Sequence, residues 1–306
     1  MSLNKLRSNY IVSFLCLAFA LLSAPALAAE SLVVASIKPL HSLVAAVMGD
    51  TGTPVLLVGG MQSPHGYQLK PSQMGTLQHA RIVFYISPGF ETFLERPLKT
   101  LPDDVRKVAL IEAKGVVTLK SRAGGVWEGH ESHEEGQDPH IWLDIANAQA
   151  MVREIAAELG KVYPDHKYVY EKNAFALIGK LSALDEDLRT QLIPVRNKPY
   201  IVFHDAFQYF GMAYGLTAVG SVTLEPEQEP SARQIGNIRE KIRILDVRCV
   251  FGEPQFDARL VRTVVEGTHT KTGVLDEQGS GIPEDQNLYF ALMRGLADGF
   301  TGCLGL

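Results

Sequence analysis

Nine histidines punctuate the 306-residue chain, at positions 41, 65, 79, 130, 133, 140, 166, 204 and 269. A neutral imidazole is a metal ligand, and several that converge make a site for an ion such as Zn²⁺. Three of the nine share a setting. His65 stands in "SPHGYQLKPSQ", between Pro64 and Gly66 and just ahead of a helix start at Pro71-Ser72. His140 stands in "DPHIWLD" and His204 in "VFHDAFQYF". Each lies at a strand-to-helix or loop-to-helix junction, the kind of place where open α/β sheets bind ligands. Asp276, in "KTGVLDEQGSG", ends a strand ahead of a Gly-rich turn and adds a carboxylate. Three imidazoles and one carboxylate suit tetrahedral Zn²⁺. Residue chemistry alone leaves open that these are satisfied core histidines, because no close-spaced motif such as H-E-x-x-H accompanies them. Of the others, His41 and His79 sit at helix ends and read as structural, and His166 and His269 read as solvated.

The elements that must position these groups alternate. Strand-like runs at 32–37, 53–58, 81–86 and 105–111 are separated by helix-like segments, one of them, "ETFLERPLKTL", interrupted by Pro97. Short connections between alternating strands and helices predict a mostly parallel α/β sheet. Residues 113–139 break the pattern with a charged loop rich in Gly, Glu and His, which holds His130 and His133 in "HESH". A helix over 145–163 follows. Residues 165–193 then carry the strongest helical period, with Ala174, Leu177, Ile178, Leu181, Leu184 and Leu188 at three- and four-residue steps. About 25 helical residues span about 37 Å, enough for a strut between two lobes. The alternation restarts with strands at 200–203, 248–252 and 271–276, and a Ser231-to-Gln234 capping box opens a helix between the first two.

The first 28 residues read as a secretory signal peptide: Lys5 and Arg7, then the apolar run "IVSFLCLAFALL", then Ala26-Leu27-Ala28. The run falls short of the roughly 20 apolar residues of a membrane span. Without Lys5 and Arg7, 27 of the 29 basic residues face 34 acidic ones, a net charge of −7. That balance argues for a soluble acidic protein and against nucleic acid as a partner. Two cysteines remain after cleavage, Cys249 and Cys303. An even pair in an exported chain suggests a disulfide, with two buried free thiols as the alternative.

Taken in order, "SPHGYQLKPSQ", "DPHIWLD", "VFHDAFQYF", "EPEQEPSARQI", "VFGEPQF" and "TGVLDEQGSG" resemble the motifs of the high-affinity zinc-uptake solute-binding proteins. These are periplasmic components of metal-importing ABC transporters (cluster 9 type), and the resemblance runs over roughly residues 31–303. It implies two α/β lobes, each with a mostly parallel sheet flanked by helices, joined by one long rigid helix, with the metal in the cleft between them. The expected layout is a signal peptide at 1–28, an N-terminal lobe at 29–163, a linker helix at 164–193 and a C-terminal lobe at 194–306. By motif match His65, His140 and His204 are the zinc-binding imidazoles. His204 is the informative one, since the manganese-binding branch looks to have a glutamate there. Cys249 and Cys303 match the disulfide pair of Gram-negative zinc members.

Two departures stand out. Some members place a glutamate immediately before the first histidine; here that position is Pro64, so the fourth ligand falls to Asp276 or to water. The charged loop is short, and His130 and His133 are an accessory weak zinc site or merely solvated. The implied function is periplasmic capture of Zn²⁺ by a monomer and delivery to an inner-membrane permease with its cytoplasmic ATPase, with no catalysis and small lobe movements. The expected tautomer of His65 is fixed by a hydrogen bond to a carbonyl or carboxylate. Affinity is expected to fall as pH drops through about 6.5, where an ordinary histidine protonates. The rivals are a zinc hydrolase on the same three histidines, with Asp205 as its nearest base, and a manganese-binding member of the same family.

Overall fold

The computed structural model describes residues 32–122, 136–223, 226–227 and 230–305. The expected signal peptide and the His130/His133 pair lie outside them. Among the described residues no helix is long and apolar enough to cross a membrane.

The first lobe holds β1 (Leu32–Ile37), α1 (Lys38–Met48), β2 (Val55–Val58), α2 (Pro71–Gln78), β3 (Ala80–Tyr85), α3 (Glu95–Thr100), β4 (Arg106–Ala109) and α4 (Ile145–Val162). Its strands lie in the order β2-β1-β3-β4, all parallel. The second lobe holds β5 (Pro199–Val202), α6 (Gln208–Tyr214), β6 (Thr217–Ser221), α7 (Ala232–Ile244), β7 (Cys249–Gly252), α8 (Ala258–Val265), β8 (Lys271–Val274) and α9 (Leu288–Leu304). Its order, β6-β5-β7-β8, repeats the first, again all parallel. Between the lobes runs α5 (Lys167–Leu192).

Two local expectations change. Pro97 does not interrupt a helix over 91–101: a 3₁₀ turn covers Thr92–Leu94, and Pro97 sits in the first turn of α3, where a missing N–H does no harm. The sequence reading also passed over α6 and β6. The first has only seven residues, too few to display a period, and the second, "TAVGS", is an edge strand with a single large apolar side chain.

Helix α5 buries Tyr170, Ala174, Leu177, Leu181, Leu184, Leu188 and Leu192, one stripe at three- and four-residue steps, while Ile178 is only partly covered. The stripe packs on α1 and α4 of the first lobe and on α9 of the second. One apolar core therefore runs from β1 through α5 to α9, and a smaller one lies under α7 and α8. Polar bonds cross between the lobes beside it. Buried Lys38 donates to Ser280 O and Ile282 O at 3.0 and 2.8 Å, Trp142 Nε1 donates to Glu277 O at 2.8 Å, and the Tyr209 hydroxyl donates to Asp138 O at 2.8 Å.

Cys249 of β7 and Cys303 of α9 form a disulfide that closes a sequence separation of 54. It ties the last helix to the sheet of its own lobe. The chain-entropy relation gives about 4 kcal/mol for a loop of this length. Replacing both cysteines with serine is expected to lower the melting temperature by about 8 °C, as followed by circular dichroism, with no change of fold.

Candidate metal centre

A strand end aims His204. His204 comes two residues after β5, and Glu253 is the residue after β7, the strand paired beside β5. Their side chains meet there: His204 Nδ1 donates to Glu253 Oε1 at 2.7 Å. His140 finds its partner nearer in the chain. Asp138 Oδ1 accepts from His140 Nδ1 at 2.8 Å and from its backbone N–H at 3.0 Å. Each bond engages Nδ1 and turns Nε2 toward the site. Both Nε2 atoms are buried and have no hydrogen-bond partner among the described residues. Buried polar atoms left unmatched are expensive, and a metal ion satisfies these two.

His65 completes the group. Its loop is tied down next to the end of β2: Gln73 Nε2 donates to Leu57 O at 2.6 Å, the Tyr67 hydroxyl donates to Gln73 Oε1 at 2.9 Å, and Gln73 Oε1 also accepts from Lys70 N at 2.9 Å. The ring centroids of His65, His140 and His204 form a near-equilateral triangle with sides of 5.2, 5.4 and 5.7 Å. One ligand atom from each lies within 4.8 Å of the others. The expected hydrogen bond to the His65 ring is absent among the described residues; the Phe90 ring, edge-on at 5.1 Å, holds it by packing. A Cβ on Gly66 would meet the Glu227 side chain at 3.1 Å.

Asp276 does not join the three histidines. Its carboxylate is spent on its own turn, accepting from Ser280 N at 2.7 Å, Gln278 N at 3.2 Å and Ser280 Oγ at 3.2 Å, and from Gln255 Nε2 at 3.3 Å. The neighbouring Glu277 points inward instead. His204, Glu253 and Glu277 form a second buried group within 4.8 Å. Burial and the Glu253 charge push the Glu277 carboxyl well above its ordinary range.

Charge divides the three imidazoles. Burial and the neighbouring His204 hold His65 and His140 well below the usual histidine range. Burial also opposes charge on His204, but the Glu253 carboxylate, through its charge and its hydrogen bond, and Glu277 and Asp205 outweigh it and raise His204 to about 9. Burial lifts Asp138 to about 7. A vestibule of about 1090 Å³ leads from solvent to the three rings, and Glu112, Arg122 and Asp205 are among its lining. Arg122 of the first lobe holds Asp205 of the second through both carboxylate oxygens, with Nε at 2.7 Å from Oδ2.

The family model described as ZnuA, zinc-uptake complex component A, periplasmic, matches residues 33–303. The chain belongs to the ZnuA family. The high-affinity zinc uptake system protein ZnuA of Brucella abortus (strain 2308) is 43% identical over 304 residues, which cover 89% of this chain and 91% of the relative. A crystal structure of ZnuA matches with a TM-score of 0.77 and 25% identity, over 90% of this chain and 100% of that one. A zinc-bound ZnuA with residues 138–173 deleted matches with a TM-score of 0.76 and 25% identity, over 90% of this chain and 98% of that one.

The structure brings the three expected histidines together, and the carboxylates that orient two of them are absent from the expected set. Asp138, two residues before His140, is legible from its spacing. Glu253 carried the same signal as His204, a polar residue just past a strand end, but pairing them required knowing that β5 and β7 are neighbours. Glu253→Gln and Asp138→Asn are each expected to weaken Zn²⁺ binding by about 10- to 100-fold, measured by competition with a chromophoric chelator, with little change in melting temperature.

Proposed function

We propose that this protein captures Zn²⁺ in the periplasm through His65, His140 and His204 and delivers it to an inner-membrane ABC permease driven by its cytoplasmic ATPase. The observation that carries the reading is the pair of buried, unpartnered Nε2 atoms on His140 and His204, with His65 completing the triangle. Carboxylates orient two of these rings, so each Nε2 faces the site before the ion arrives. The fourth position goes to water from the vestibule and not to Asp276, whose oxygens already accept four hydrogen bonds. Three imidazoles with no carboxylate in the group favour Zn²⁺ over Mn²⁺, which prefers more oxygen. The protein is a carrier and not a hydrolase: the carboxylates around the rings are already engaged, Asp138 and Glu253 by His140 and His204 and Asp205 by Arg122. It acts as a monomer. Families of this kind are periplasmic by description, and the sequence of residues 1–28 suits export.

The pH dependence differs from the sequence expectation. With His204 near 9, the metal-free site holds a proton at neutral pH that Zn²⁺ must displace. His65 and His140, already neutral, release none. Affinity therefore weakens by roughly tenfold for each unit below about 9, and not only below 6.5. Calorimetric titration at pH 7.5 in buffers of different ionisation enthalpy is expected to give one Zn²⁺ per chain and about one proton released. Binding without proton release would mean that His204 is neutral before the ion binds.

The continuous core through α5 and the polar bonds between the lobes leave little room for hinge closure. Small-angle scattering of metal-free and zinc-loaded protein is expected to give the same radius of gyration. A clear compaction on loading would overturn the rigid picture.

A further inference from the structure

Phe90 does more at the site than hold the His65 ring. Phe90 is 3% exposed, yet it lines the vestibule and lies against two of the three imidazoles. Its ring is 5.1 Å from His65 at an interplanar angle of 89° and 5.6 Å from His140 at 72°. Behind it stands Trp142, with centroids 5.3 Å apart, and Trp142 is also 5.3 Å from His140. The His65–His140 edge of the site is thus walled by carbon.

The wall is held in place at some cost. Glu91, next in the chain, is fully buried at the carboxyl ends of β1 and β3. It accepts from Ser36 Oγ at 2.6 Å, from Ile86 N at 2.9 and 3.1 Å and from Ser87 N at 2.9 Å. A second tie runs from Phe90 N to Ser87 O at 3.1 Å. Burial lifts this carboxyl to about 7. A loop that only needed filling would not bury a carboxyl group to fix its backbone.

We propose, on the reading that the three histidines bind the cargo ion, that Phe90 is a metal-selectivity residue. It fills with carbon a wall that could have offered an oxygen donor or a bound water, and so keeps the ion at a low coordination number. Zn²⁺ is content with four ligands, whereas Mn²⁺ prefers an oxygen-rich shell of six. Discrimination here comes from what the wall withholds as much as from what the histidines supply.

The test compares wild type with Phe90→Asn, which puts an oxygen donor on the wall, and Phe90→Leu, which keeps it apolar. Zn²⁺ and Mn²⁺ affinities are measured by competition with an indicator. Phe90→Asn is expected to shift the preference toward Mn²⁺ by about tenfold or more, and Phe90→Leu to leave the ratio within about twofold. An unchanged ratio in Phe90→Asn, or an equal shift in both variants, overturns the proposal. Cobalt gives a check that needs no variant. Wild-type protein loaded with Co²⁺ is expected to absorb strongly in the visible, as four-coordinate Co²⁺ does, and a weak six-coordinate spectrum overturns the proposal. Failure of wild type to bind Zn²⁺ at all would instead remove the reading on which it rests.

Discussion

The His204–Glu253 hydrogen bond joins the carboxyl ends of two neighbouring strands, and the metal centre is organised around it. An imidazole has two nitrogens, and only one can face an ion. Unless the other is engaged, the ring is free to rotate and to choose its tautomer, and both freedoms must be given up on binding. Glu253 removes them beforehand. The same bond creates a difficulty, because a buried carboxylate draws a proton onto its partner and charges the nitrogen that should bind the metal. Capture is then an exchange of one cation for another in a site that already carries the compensating charge. That exchange avoids leaving Glu253 as an isolated buried anion, which would be far more costly.

The remaining parts follow from having one such anchor in each half of the molecule. Asp138 does for His140 what Glu253 does for His204, although it lies two residues away in the chain and not on an adjacent strand. Glu277 adds a third carboxyl group beside the pair, pushed above its ordinary range by burial and the Glu253 charge. Positioning at this level requires that the lobes not drift. The apolar stripe on α5 and the bonds of Lys38, Trp142 and Tyr209 across the lobes provide this, so His204 reaches the others from a fixed direction.

Much of this was legible in the amino-acid order, and what was not had one physical cause. Strands with continuous apolar runs, the α5 stripe and the motifs around the histidines all announce themselves locally, because each depends on neighbours in the chain. Their partners do not. Glu253 lies 49 residues from His204, and only the β5–β7 pairing brings them together. Asp276 and Glu277 illustrate the limit most sharply. Both follow β8 within three residues, and only the turn from 276 to 280 decides that the first caps the backbone and the second points into the centre. The edge strand β6 and the seven-residue α6 escaped for the complementary reason: their stability comes from tertiary packing and leaves little periodic trace.

The repeated strand order sharpens the contrast between the lobes. In each, the first strand lies beside the third, and the crevice at their carboxyl ends is where such sheets place what they bind. Both crevices hold a buried glutamate, Glu91 between β1 and β3 and Glu253 between β5 and β7. In the second lobe the glutamate orients a ligand directly. In the first it ties down the backbone of the loop that carries Phe90, and the histidines come from segments outside the crevice. One crevice thus grips the ion's ligand while the other shapes the wall beside it. A site between two such lobes gains donors from one direction and enclosure from the other, which neither sheet could supply alone.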